Sequence, residues 1–156
     1  ATVQSAFSML EREPEHELIH AAAKYGTGIL PYYPLASGFL TGKYKRDTEL
    51  PEGSRLARLQ WTADQYVNDA SFDLLEALEM FAAQRDHTMV ELAFAWLLAH
   101  PEVSSVIAGA TRVEQVVQNA ATMDWELTAA DMAELEGILP DTPGPGTGNL
   151  PRRRSL

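Results

Sequence analysis

The stretch Ile29-Leu30-Pro31-Tyr32-Tyr33-Pro34-Leu35-Ala36-Ser37-Gly38-Phe39-Leu40-Thr41-Gly42-Lys43 decides how the rest of the chain is read. Gly28 to Tyr32 is a short apolar run that predicts a buried strand. A loop of Tyr, Pro, Ser, Gly and Lys follows it. A strand that empties into an aromatic, a glycine-rich loop and a cation can build a ligand site at the carboxyl end of a parallel sheet. The tyrosine rings offer flat faces for stacking. Gly38 and Gly42 allow close approach of backbone, and Lys43 brings a positive charge. The same residues also read as core packing by Tyr32 and Tyr33 beside an ordinary loop, and this stretch alone does not separate the two.

Working outward, Thr2-Val3-Gln4 reads as the end of an earlier strand with Gln4 at its tip. Pro14 suits the first turn of a helix, and Glu15 and Glu17 suit its positive end. Leu18, Ile19, Ala22 and Ala23 form its apolar face, and Gly26 stops it. Strand, helix, strand implies parallel pairing. Downstream, Lys43 to Trp61 is a long polar loop centred on Pro51-Glu52-Gly53-Ser54-Arg55, and loops of that length are usually functional or mobile. Ser71 is the expected cap of a helix reaching Arg85, with Leu74, Leu75, Leu78, Phe81 and Ala82 on one face. Thr88-Met89-Val90-Glu91 has the form of a capping box; its helix carries Leu92, Ala93, Trp96 and Leu97 and ends near His100-Pro101.

Ser105 to Ala108 predicts a third buried strand. Gly109-Ala110 then leads into a second box, Thr111-Arg112-Val113-Glu114, and a helix with Val116, Val117, Ala120 and Met123. Thr128 caps a last helix bearing Met132, Leu135 and Ile138. The ordered unit is expected to span 1–139. Residues 140–156 are rich in Pro and Gly and then basic, a composition that predicts disorder. The class is therefore α/β, with three strands each followed by helix. Three parallel strands cannot close a barrel and leave an edge unpaired, so the chain reads as a piece of a larger α/β fold.

Composition limits the function. The 156 residues carry a net charge of −10, which disfavours general nucleic-acid binding. Cysteine is absent, which excludes disulfides and thiol catalysis. No apolar run is long enough to span a membrane, and the opening residues lack the parts of a signal peptide; a cytoplasmic, soluble protein is the expectation. Five of the 12 Lys and Arg residues (Lys43, Lys45, Arg46, Arg55 and Arg58) fall in one short segment. A local basic loop on an acidic chain points to a small anion such as phosphate, or to a solvated loop.

Two further motifs compete. His16-Glu17-Leu18-Ile19-His20 fits H-E-x-x-H, which on one helix would place two rings on a zinc with Glu as base. No third ligand has suitable spacing, the motif starts at a helix tip, and it lies away from the carboxyl ends of the strands. Two ordinary helix histidines are the stronger reading. The strand–Gly–helix junction at Val106 to Asn119 is the other motif. There Gly109 frees the backbone, and a helix amino terminus offers N–H groups and a positive dipole end to phosphate. Arg112 can fork onto phosphate oxygens, and Gln115, Gln118 and Asn119 carry amides for a base edge or a ribose. A well-capped helix with a solvated Arg is the bland alternative.

Taken together, Val3 to about Leu139 resembles the aldo-keto reductase family. Pro31 to Tyr44 is similar to the family's Tyr/Trp-Ser-Pro-Leu-Ala loop with its Leu-Thr-Gly-Lys-Tyr extension. Ser105 to Arg112, with Gln115 and Asn119, resembles the cofactor segment after the last barrel strand. Val3-Gln4 with Leu10-Glu11-Arg12 resembles the segment that carries the Gln of the nicotinamide site. The resemblance implies the last three βα units of a TIM (β/α)8 barrel, incomplete as given, and NADPH-dependent reduction of a small-molecule carbonyl to an alcohol. It implies that Gln4 bonds the nicotinamide amide and Tyr32 stacks on the ring. Tyr33, Pro34, Leu35, Ala36 and Ser37 line the pyrophosphate loop, and Lys43 and Arg55 meet phosphates. Gly109, Thr111, Arg112, Gln115, Gln118 and Asn119 hold the adenosine end.

Three departures stand out. Tyr33 replaces a frequent Ser. Gly109 stands where some members carry a Lys, leaving Arg112 as the main determinant of NADPH over NADH. Ala108 replaces a frequent Pro. The family's catalytic Asp, Tyr, Lys and His come from earlier strands, so no residue here is assigned as proton donor. The rest of the barrel, or a second chain, is the implied partner. The alternative is a non-catalytic nucleotide-binding or interaction module.

Overall fold

The structure, a computed structural model, describes residues 1–140. The element order is β1 (Thr2–Ala6), α1 (Leu18–Tyr25), β2 (Gly28–Tyr32), α2 (Arg55–Arg58), α3 (Gln60–Tyr66), α4 (Asp69–Ala83), α5 (Met89–Leu98), α6 (Val113–Ala121) and α7 (Ala129–Ile138), with short 3₁₀ turns between several of them. The expected tail lies, apart from Pro140, outside the described residues.

β1 and β2 pair in parallel, with Thr2 opposite Gly28 and Ala6 opposite Tyr32. Gln4 therefore sits in the middle of β1, opposite Leu30, and not at its tip. The expected third strand, Ser105–Ala108, is not a strand. Its stretch runs beside β2 through one parallel bridge, Val103 to Ile29, and a looser set of backbone bonds that ends with Ile107 N–H donating to Pro31 O at 2.9 Å. A second neighbour would complete its ladder, and among the described residues it has none. A Cβ at Gly28, where this segment crosses it, would lie 2.1 Å from Ser104 Oγ and would force that side chain to shift.

The predicted helix from Pro14 is two pieces. A 3₁₀ turn, Glu13–Glu15, precedes α1, which starts only at Leu18 and closes at Gly26 with φ 60°. α4 is capped by Asn68, whose side chain accepts from Ser71 N–H; the expected cap, Ser71, is buried inside the first turn. The expected long loop contains one short helix, α2, and runs into a second, α3. The predicted capping box of α5 is present, with Thr88 and Glu91 bonded reciprocally, and Thr128 does the same with Asp131 in α7.

The core lies on one side of the strands. Trp96 of α5 is fully buried, edge-on to Phe7 at 5.2 Å and to His100 at 4.7 Å. Leu75, Leu78 and Phe81 of α4 and Leu135 of α7 belong to the same buried cluster. Arg12 ties the turn after β1 to α7 by a forked bond to Glu136 at 2.8 and 2.9 Å, and reaches Glu15 at 2.7 Å. On the other side of the sheet Thr2 and Gln4 are exposed among the described residues. Among the described residues no helix is long and apolar enough to cross a membrane.

Candidate cofactor site

β2 delivers Tyr32 to the carboxyl end of the sheet, and the chain turns sharply there. Tyr33 has φ 58°, Ala36 44°, Ser37 58° and Gly38 92°. Three non-glycine residues in the left-handed region within five positions store strain, which persists only where the surroundings over-determine it. They do so here. Ala36 N–H donates to Tyr33 O (2.9 Å), Gly38 N–H to Leu35 O (2.7 Å), and Thr41 Oγ1 to Gly38 O (2.7 Å). Beneath the loop Phe39 is fully buried, stacked on Tyr44 and Tyr66 at 6.0 Å each and tilted against Phe72 at 5.3 Å. Pro34 is buried; Leu35 and Ser37 are half-buried.

The turn at Tyr33 sends its ring outward. It is 45% exposed and lies edge-on to the half-buried Tyr32 ring at 5.2 Å. Arg55, the first residue of α2, places its guanidinium 5.2 Å over the Tyr33 ring. Lys43 Nζ lies 5.0 Å over the Tyr44 ring, on the side of the loop where Gly38 leaves room. Neither cation forms an ion pair among the described residues. Of the five clustered basic residues, Lys45 and Arg46 are instead engaged by carboxylates of α4.

The bond from Ile107 to Pro31 brings the junction after Val106 to the end of β2. Gly109 has open space where a side chain would stand. The predicted box at Thr111–Glu114 is absent. Arg112 is the N-cap, and no side chain caps α6. Thr111 donates from N and Oγ1 to Gln115 Oε1, at 2.8 and 3.1 Å, so that oxygen is turned back onto the junction and not outward. Arg112 and Gln118 are exposed and Asn119 is half-buried.

Several residues that shape the site carried no assigned role in the sequence. Gln65 and Tyr66 both donate to Glu11 Oε1, at 2.9 and 3.3 Å, which fastens α3 to the turn after β1. Burial pushes the Glu11 carboxyl up, against the lowering by these two bonds. Burial also raises the Tyr66 phenol well above its usual range, and the Glu11 charge adds to this. The signal was Glu11 itself, an acid directly after the apolar pair Met9-Leu10.

The residues of the H-E-x-x-H motif do not share one helix. His16 and Glu17 lie in the break before α1 and His20 lies within it. Among the described residues no group of three or more acidic or histidine side chains could hold a metal ion. His16 and Glu17 line an open cleft of about 470 Å³ with Ser5, Pro14 and Leu18.

The sequence model of the Aldo/keto reductase family matches residues 1–140. The chain belongs to this family. Among its relatives is an NADH-specific methylglyoxal reductase of Escherichia coli K12, 33% identical over 129 residues, which cover 83% of this chain and 39% of that one. A protein of Oryza sativa named "Probable voltage-gated potassium channel subunit beta" is 32% identical, over 90% of this chain and 44% of the relative. Among solved structures, a glycerol dehydrogenase from Gluconobacter oxydans superposes with a TM-score of 0.78 at 25% identity, over 96% of this chain and 46% of that one. This aldo/keto reductase chain thus spans less than half the length of these relatives.

Proposed function

We propose that the protein is an NADPH-dependent oxidoreductase that reduces a small-molecule aldehyde or ketone to the alcohol. In this reading the chain is the last three βα units of a (β/α)8 barrel and supplies much of the cofactor site. The observation that carries the reading is the Ile107–Pro31 bond, which sets the loop after β2 and the junction before α6 at one end of the parallel segments. Ligands of parallel α/β folds bind at that end.

The residues present fit a dinucleotide with anionic groups. Arg55, Lys43 and Arg112 are exposed cations. The amino terminus of α6 lacks a side-chain cap, so its N–H groups and dipole favour an anion. Tyr32 offers a half-buried ring for the nicotinamide, with Gln4 for its amide. Tyr33, Pro34, Leu35 and Ser37 line the pyrophosphate loop. Gly109, Thr111, Arg112, Gln115, Gln118 and Asn119 hold the adenosine end. NADPH, when bound, supplies the hydride. The proton comes from a group contributed by another part of a family-length barrel or by a second chain, because none of these residues is assigned as the acid.

Fluorescence titration with NADPH and NADH tests this. Arg112→Ala removes a charge-assisted contact and should weaken NADPH by about tenfold, and NADH by much less. Unchanged affinity for both would remove Arg112 from the site. Absence of NADPH binding and of NADPH-dependent carbonyl reduction by the purified protein would overturn the reading. The exposed Thr2 and Gln4 on the sheet and the exposed α6 favour a second reading, a nucleotide-binding or interaction module without catalysis. Carbonyl reduction by this polypeptide alone, at an intact mass of 17.2 kDa, would sink it.

A further inference from the structure

α4 carries Asp69, Asp73, Glu76 and Glu79 at spacings that put all four on one helix face. Like charges so placed repel one another. The stripe is met by the basic run that follows Lys43. Arg46 reaches Asp69 Oδ1 from Nη1 at 3.3 Å and Glu76 Oε1 from Nε at 3.2 Å, and bonds Asp73 through Nη2. Its guanidinium also lies 5.7 Å over the Phe72 ring. Lys45 Nζ bonds both Glu79 oxygens at 2.9 Å. Glu79 closes on Gly42 as well: with φ 74°, a Cβ there would stand 2.9 Å from Glu79 Oε1. One face of α4 therefore grips residues 42 to 46.

We propose that Arg46 is a positioning residue, the centre of an ionic clasp that holds the base of the 43–58 segment on α4 and thereby sets where Lys43 and Arg55 stand. The proposal rests on the reading of those two cations as cofactor contacts. Lys43 lies three residues before Arg46 and Arg55 nine after it. Asp47, Thr48, Glu49, Pro51, Glu52 and Gly53 between them are exposed while Leu50 packs half-buried against the core, so the stretch is held at Leu50 and at its ends, where Tyr44 and Leu56 are buried and Arg46 is clasped. At the far end, Tyr66 and Gln65 are fastened to Glu11. A single exposed ion pair contributes little, but a guanidinium forked across three carboxylates is the network case in which geometry adds up. Exposed pairs are screened by salt. The clasp thus makes the placement of the two cations depend on ionic strength, apart from any screening of the ligand's own phosphates. Lysine cannot replace the fork.

The test uses the purified protein with Arg46→Ala, Arg46→Lys, Glu76→Gln and the Arg46→Ala/Glu76→Gln double variant. Two readouts are followed: amide exchange at Ser54, Arg58 and Leu59, whose N–H groups bond Pro51, Ser54 and Arg55, and the NADPH dissociation rate. In low salt, about 0.05 M, Arg46→Ala should raise both at least about fivefold at an unchanged thermal midpoint. About 0.5 M salt should bring the wild type toward the variant. Arg46→Lys should recover only part, and Glu76→Gln should add nothing to Arg46→Ala. Unchanged exchange at these amides overturns the clasp. Faster exchange with an unmoved NADPH dissociation rate overturns the positioning role. A wild type that takes up no NADPH would fail the functional reading, while amide exchange around Arg55 would still decide the clasp. If Arg46→Ala does not fold, Glu76→Gln, altered at the exposed end of the same pair, carries both readouts.

Discussion

α5 and α6 look alike as sequence and behave as opposites in the fold. Each shows apolar residues at helical spacing behind a Thr-x-x-Glu pattern. In α5 seven of ten residues are buried. In α6 none is, and Val113, Val116 and Val117 stand exposed, with Met123 just beyond. α5 packs on Phe7 and α4 and also touches α6, yet Val113, Val116 and Val117 of α6 stay exposed among the described residues. An amphipathic pattern states which face of a helix must be covered; it does not state which part of the protein covers it.

Substitutions can break this contrast. Trp96→Ala removes the largest fully buried side chain of the core, and its loss should destabilise the protein by about 3–5 kcal/mol. Val117→Ala on α6, at 63% exposure, should change stability by less than about 0.5 kcal/mol. Urea unfolding of the two variants of this chain measures both. Equal losses would show that α6 is packed in solution, and the contrast would fall.

The same contrast explains what could be read in advance. The box at Thr88 and the cap at Thr128 were legible because a cap is decided by neighbouring residues, although the same pattern at Thr111 formed no box. Ser71 was the wrong cap because Asn68, three positions earlier, is as good an N-cap and took its place. Ser105–Ala108 has the composition of a strand, but a ladder needs partners, and among the described residues only β2 supplies one. The loop after β2 was expected from its residue types and order, whereas the left-handed turn at Tyr33 that aims its ring at Arg55 was not. The Arg46 clasp joins residues 23 to 30 positions apart. The basic loop was visible in the sequence; the acidic face of α4 that receives it required the fold.

The caps sharpen the comparison at smaller magnitude. Thr88→Ala deletes a formed capping box and should cost about 1 kcal/mol. Thr111→Ala, at the start of α6, should cost far less, because Arg112 is the N-cap there and Thr111 bonds only the Gln115 side chain. Thermal unfolding of both variants checks the ordering, and a Thr111→Ala loss as large as that of Thr88→Ala would mean that a box forms at α6 in solution.

The smallest effect is the pH dependence of the α5 box. Glu91 accepts from Thr88 Oγ1 at 2.7 Å and Thr88 N–H at 2.6 Å, and these bonds hold its carboxyl below the usual carboxylate range. Its folded-state value is thus lower than its unfolded one. The stability it contributes is complete above about pH 4.3, the unfolded value, and is lost as the pH falls through the folded value. The exposure of the box limits the contribution to a fraction of a kcal/mol. Glu91→Gln should therefore lower stability slightly at neutral pH and flatten the acid limb of the stability curve. No carboxylate caps α6, so Gln115→Ala should leave that limb unchanged. A wild-type acid limb untouched by Glu91→Gln would assign the loss to other lowered carboxylates, among them Asp131 of the α7 box, which is held down in the same way by Thr128. A limb flattened by Gln115→Ala would show that the start of α6 is coupled to the core from which its exposed face now separates it.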